Sequence, residues 1–169
     1  RDEKHVARVA AGDQFVDEVD SASKQAVEFV DEVTAVDQSH SMWLGDDDEL
    51  LAFGRERFRT VLVPGQMAKD GGFPLETART KPYGYSLFNL DALATAAWIL
   101  STPADDLWRF ETADGRGLQR AVAWMAPFIR NRQKWPFPPD VMYDDRWPMR
   151  QPSLLFAGLA YGETSYLEL

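Results

Sequence analysis

The chain contains no cysteine, which excludes disulfides and thiolate-based metal sites. Histidine is nearly as scarce: His5 and His40 are the two present. They share no helical spacing, and no carboxylate cluster stands at ligand distance in sequence, so no metal motif and no cofactor are expected. No apolar run approaches the roughly 18 residues of a membrane-spanning helix, so no membrane partner is expected. The opening "RDEKHVARVAAGDQF" lacks the apolar core of a signal peptide, which suggests an intracellular chain, a mature form or a fragment. Excess basic charge is missing too. The formal net charge is -9, whereas phosphate neutralisation needs a basic surface, so nucleic acid is not an expected partner. Alternating apolar and polar positions, the mark of a half-buried strand, are absent over any useful length.

What is present suits one folded domain. Over 169 residues, apolar content is 45%, with six tryptophans and ten phenylalanines, enough to build a substantial core. The negative charge is concentrated early: residues 1–50 carry 14 acidic and four basic side chains, leaving the remainder nearly balanced. A local anion site in the later part is therefore compatible with the acidic total.

Helical periodicity recurs along the chain. Residues 13–36 place Phe15, Val19, Ala22, Ala26, Phe29, Val30 and Val33 on one face against an acidic opposite face. "DDDELLAFGRERFRTVLVPGQM" starts with acids suited to a helix N-terminus and runs to Pro64-Gly65. After the turn "KDGGFP", residues 84–101 are apolar nearly all round, which predicts the most buried helix. "TPADDLW" and "ETADGRG" read as loops. Residues 116–131 predict a fourth helix with a kink at Pro127. "KWPFPPDVMYDDRWPMRQP" is too rich in proline for regular helix, and "SLLFAGLAYG" fits a short helix or a strand. The expected fold class is all-α, with helix pairs joined by long ordered loops.

Three stretches could carry chemistry. "RTKPYGYS" places Arg79, Lys81, Tyr83 and Tyr85 at the mouth of the buried helix. A tyrosine serves as a general base only when its ordinary pKa of about 10 is lowered, which neighbouring cations do by favouring the phenolate. A solvated charged turn before a core tyrosine explains the same residues. His40, in "DQSHSMWLG", could neutralise a carboxylate or simply be exposed. The proline-rich loop interleaves Arg130, Arg132, Lys134, Arg146 and Arg150 with Trp135, Phe137, Tyr143 and Trp147. Aromatic faces stack on sugars and arginines fork onto carboxylates. A loop covering the core, with arginines paired to Asp140, Asp144 and Asp145, fits equally.

"DGGFPLETARTKPYGYSLFNLDALA", together with "LWRFETADGRGL", "WPFPPDVMYDDRWP" and "QPSLLFAGLAYG", resembles the alginate lyase domain family of polysaccharide lyases. The resemblance covers roughly residues 46–162 and leaves the acidic segment 1–45 outside it. It implies a partial (α/α) toroid, an anionic uronate polymer as partner, and cleavage by β-elimination in a secreted or periplasmic setting. It also implies that Tyr85 is the catalytic tyrosine and Arg79 the nearby arginine, with Tyr83 the competitor two residues away. Gln66 and Glu76 fall inside the matching block, Glu76 as a partner orienting Arg79. Lys81, Tyr83, Gln66, Glu76, Trp135, Arg146 and Trp147 are the expected substrate-binding set. The family's upstream Asn-His pair has only His40 as a counterpart, and no asparagine precedes it. Two other readings fit the same residues: an inactive carbohydrate-binding remnant, or an acidic helical interaction domain.

Overall fold

The structure is a computed structural model that describes residues 48–147 and 150–169. The amphipathic segment 13–36 lies outside the described residues. Within them every regular element is helical, and the sole bridge is an isolated antiparallel contact between Thr102 and Asp105. The all-α expectation holds.

Helix α1 spans Asp48–Arg57, with Asp48 and Glu49 in its first turn and Arg55 and Arg57 in its last, each sign matched to the helix dipole. It passes without interruption into a π-turn, Phe58–Leu62, and then into α2, Val63–Gln66. The wide turn has a cause in the next residue. Pro64 has no N–H and its ring would clash with the carbonyl of an ordinary preceding turn. Opening that turn, so that the Val63 amide reaches back to Phe58, lets the axis continue past the proline. The helix therefore stops at Gln66, just beyond Pro64-Gly65.

The "KDGGFP" turn forms as predicted. Gly71 sits at φ 95°, and a Cβ there would meet the Arg120 carbonyl oxygen at 2.4 Å, so both conformation and space call for glycine. The Asp70 carboxylate accepts the Gly72 amide at 2.9 Å. Arg116 closes this end of the molecule, donating to the Pro64 carbonyl at 2.5 Å and to the Met67 carbonyl at 3.3 Å. Its partner is Asp114, whose carboxyl is held down to about 2, first by the Arg116 hydrogen bond and then by Thr112.

A single-turn helix, α3 (Pro74–Thr77), leads to the 19-residue α4 (Pro82–Leu100), α5 (Leu118–Arg130) and α6 (Pro152–Tyr161). Helix α4 is the centre. It packs on α1, α3, α5 and α6, and Leu87, Leu90, Leu93, Ala94, Ala97 and Leu100 are all buried in the common core. Only Phe88 and Trp98 of its side chains are largely exposed, which matches its unbroken apolar composition. Trp98 stacks on Phe156 of α6 with ring centroids 4.9 Å apart. Pro127 stands inside α5, on its exposed face, where water can serve the carbonyl that the proline leaves without a donor. The segment "SLLFAGLAYG", open to either state in sequence, is helix and ends at Gly162 in the left-handed conformation.

The ends of these helices are closed from a distance. No residue preceding α4 or α6 caps it with its own side chain. Asp91, in the middle of α4, accepts the Ser153 amide of α6 at 3.0 Å. Arg55 of α1 donates to the Leu100 carbonyl, at the C-terminus of α4, at 2.7 Å.

Candidate active site

The start of α4 gathers most of the residues that the sequence singles out. Glu76 ends up 1% exposed beside the last turn of α3, and its carboxylate accepts from Arg79 at 2.7 Å. Its other oxygen accepts from the Asn89 side chain at 3.3 Å. A carboxylate this deeply buried requires a partner charge, and Arg79 supplies it. The Arg79 guanidinium in turn lies 3.5 Å from the centroid of the Tyr85 ring. The result is a connected chain, Asn89–Glu76–Arg79–Tyr85, that starts in the core and ends at a partly exposed phenol. Such a chain fixes both the position of the cation and the tilt of the ring against it.

Tyr83 stands in a different environment. It is fully buried, with Trp135 and Trp147 edge-on at 5.1 and 5.4 Å, and the Arg132 guanidinium 4.0 Å from its ring. Burial pushes its hydroxyl up to about 12, with Arg132 pulling the other way and Asp140 and Asp144 adding to the rise. Among the described residues its hydroxyl has no hydrogen-bond partner. Trp135 belongs to the same cluster: it is buried and touches Trp124, Phe128 and Phe137 as well.

What holds the proline-rich loop over this region is Asp140. Its carboxylate accepts the backbone amides of Tyr83 and Gly84, both at 2.9 Å, and the Trp147 indole N–H at 3.3 Å. These are the orphan amides of the first turn of α4, so a carboxylate 57 residues downstream caps the helix. Gly84 is what lets it approach, because a Cβ there would stand 2.8 Å from Asp140 Oδ2 and 3.1 Å from the Trp147 ring. A backbone bond from Val141 to the Thr80 carbonyl, 3.1 Å, adds a second tether. Arg132 pairs with Asp144, which also accepts the Asp140 amide at 3.0 Å. The covering-loop reading of this stretch therefore accounts for Arg132 and Asp144, while Asp140, expected to pair with an arginine, caps α4 instead.

The remaining candidates fall around these two clusters. Gln66 is buried at the end of α2. Trp147 is half-buried over the α4 start, and Arg146 is exposed, its guanidinium 4.4 Å from the Tyr143 ring. Lys81 also faces Tyr143, at 5.3 Å. His40 lies outside the described residues. One participant, Asn89, was not singled out from sequence, and two others, Asp140 and Tyr143, were named there in other roles. Asn89 carries a readable signal, a lone amide one helical turn after Tyr85 on an otherwise apolar helix. For the roles that Asp140 and Tyr143 take here the sequence offers no signal, because they depend on where the proline-rich loop folds back. Among the described residues, no group of three or more His, Cys, Asp or Glu side chains could hold a metal ion. No helix among them is long and apolar enough to cross a membrane.

Comparison with known proteins points to one family. The family described as alginate lyase matches residues 39–135, a span that takes in His40 as well as the Glu76–Tyr85 block. Its end at Trp135 falls short of the similarity read to residue 162 from the motifs. Among solved structures, an alginate lyase from Bacteroides ovatus is 26% identical and superposes with a TM-score of 0.61. The match covers 73% of this chain and 32% of that one, so the chain spans about a third of that relative's length. No curated protein matches.

Proposed function

The chain belongs to the alginate lyase family, and on that premise we propose that it cleaves a uronate polysaccharide such as alginate by β-elimination, with Tyr85 as the proton-transfer residue. The observation that carries this reading is the Arg79 guanidinium set 3.5 Å from the Tyr85 ring at the partly exposed start of α4. In the reaction the Tyr85 phenolate oxygen takes the proton from C5 of the uronate. The electron pair of that C–H bond becomes the C4–C5 double bond as the C4–O bond breaks, and the departing oxygen gains a proton. Tyr85, protonated by the first step, is placed to return it.

Negative charge has to be stabilised on the phenolate and then on the uronate carboxylate as C5 is deprotonated. Arg79 serves the first need, and Glu76 and Asn89 hold it in place as positioning residues. His40 is the proposed neutraliser of the substrate carboxylate, and Gln66 is a proposed substrate-binding residue. The contrast with Tyr83 supports the assignment between the two tyrosines. A fully buried phenol raised to about 12 is a poor base and cannot meet a polymer. Trp135 shares that burial, so its proposed contribution is to shape the wall behind Tyr83, while Trp147 and Arg146 border the open side. A secreted or periplasmic setting follows if the substrate is an extracellular polymer.

The test is incubation of the full chain with alginate while the ultraviolet absorbance of unsaturated uronate ends is followed. Growth of that signal, abolished in Tyr85→Phe and in His40→Ala but retained in Tyr83→Phe, is the expected result. Polymer binding without any unsaturated product would instead favour the carbohydrate-binding remnant.

A further inference from the structure

Tyr143 is the one non-glycine residue with a positive φ among the described residues, at 66°. A bulky aromatic rarely adopts the left-handed region, and such strain persists only where the surroundings impose it. The imposing contacts are on either side: Val141 is bonded to Thr80, and Asp144 is held by Arg132. The strained backbone turns the Tyr143 ring outward, half-exposed, instead of into the core. Two cations converge on it, Arg146 at 4.4 Å and Lys81 at 5.3 Å from the ring centroid. Neither forms an ion pair with any described residue. Of the two acids in this turn, Asp144 is engaged by Arg132, and Asp145 pairs with neither cation.

An open aromatic surface beside two cations that make no ion pair among the described residues has the chemistry to hold a sugar acid: the ring carries the apolar face of the sugar, and the cations take its carboxylate. Its place in the fold connects it to the catalytic region. Lys81 is the residue immediately before α4, and its carbonyl accepts the Tyr85 amide at 2.9 Å, so the two residues stand one helical turn apart along the backbone. A turn rises about 5.4 Å, close to the length of one sugar along a polymer.

We propose that Tyr143, Lys81 and Arg146 form a second uronate-binding subsite, one sugar removed from the bond cleaved beside Tyr85. This deepens the lyase reading and rests on it for the identity of the sugar. The subsite makes the site sensitive to chain length, because a substrate must extend past Tyr85 to reach it.

Calorimetric titration of the full chain with alginate disaccharide and hexasaccharide tests this at low salt. Tyr143→Gly relieves the backbone while removing the ring, and Lys81→Ala with Arg146→Ala removes the charge. Each change is expected to weaken hexasaccharide binding about tenfold, the loss of one charge-assisted or stacking contact, and to weaken disaccharide binding less. Thermal stability of Tyr143→Gly should equal or exceed that of the parent. Unchanged hexasaccharide affinity in both variants overturns the subsite, as does equal loss for both ligands, and so does a parent chain that binds neither. The elimination product is measured in parallel. If the parent shows length-dependent binding that requires Tyr143 but no unsaturated product, the subsite stands and the lyase reading falls. Turnover that is indifferent to the three substitutions has the opposite meaning.

Discussion

Replacing Asp140 with alanine should be among the most damaging single changes in the described structure. The carboxylate is 6% exposed and serves three donors: the Tyr83 and Gly84 amides and the Trp147 indole. Loss of a capping side chain costs about 0.5–2 kcal/mol, and each buried donor left without an acceptor costs about 1–3 kcal/mol. The donors are not equally shielded. Gly84 and Trp147 are half-buried, so water can replace the lost acceptor there, while Tyr83 lies in a dry aromatic cluster. Counting the Tyr83 amide in full and the other two at a fraction gives about 2–4 kcal/mol. For a chain of this size that lowers Tm by roughly 6–12 °C. Asn cannot rescue the site, because its amide nitrogen would face one of the two backbone N–H donors. Thermal unfolding followed by far-ultraviolet dichroism measures the cost, and near-ultraviolet dichroism reports the tryptophans. A Tm drop below about 2 °C for Asp140→Ala would refute the reasoning and mean that the loop is not held by this carboxylate.

Tyr85→Phe should lower the rate of unsaturated-end formation by about 10²–10⁴-fold, the range for loss of a general base, with little change in Tm. Glu76→Gln removes the counter-charge of Arg79 in a buried setting and should cost about 3 kcal/mol, read by urea denaturation, with a fall in kcat as Tyr85 loses its fixed neighbour. Gly84→Ala should reproduce much of the Asp140→Ala effect, since the added methyl occupies the path of the carboxylate. For pH dependence, the folded-state value for Tyr83 is raised from 10 to about 12, so its contribution is complete below pH 10 and is lost as pH rises towards 12. Spectrophotometric titration of Tyr83→Phe should therefore show one late-ionising tyrosine fewer than the parent, Tyr161 being raised by burial as well.

The fold was largely legible because its signals are local. The acid-to-base gradient of α1, the unbroken apolar run of α4 and the Gly-rich turn at 69–74 each act within a few residues of themselves. The Glu76–Arg79 pair was legible for the same reason, lying three residues apart. Where sequence spacing left two candidates, Tyr83 and Tyr85, the decision depends on which one turns inward. That is set by Trp135, Trp147 and Arg132, which lie far along the chain in another segment. The same holds for the loop. Whether Asp140 pairs with an arginine or caps a helix is a matter of chain path, and periodicity does not encode chain path. The final apolar segment shows the opposite case, since ten residues of mixed small and large apolar groups suit either period, and packing against α4 selected helix.

Helix α4 borrows its closure at both ends: a carboxylate from the far loop at the first turn and Arg55 from α1 at the last. A helix stopped by its own neighbours frays and recloses alone, and its terminal amides exchange with solvent through those brief local openings. Here the Tyr83 and Gly84 amides can be released only when the loop lifts away, and the last turn only when α1 does. Slow amide exchange should thus reach the very ends of α4 instead of fading over the final turn. A peptide cut to residues 82–100 would lose that pattern entirely. The region carrying Tyr85 is in this sense rigid by subscription: its order belongs to the assembled chain and not to the helix that displays it.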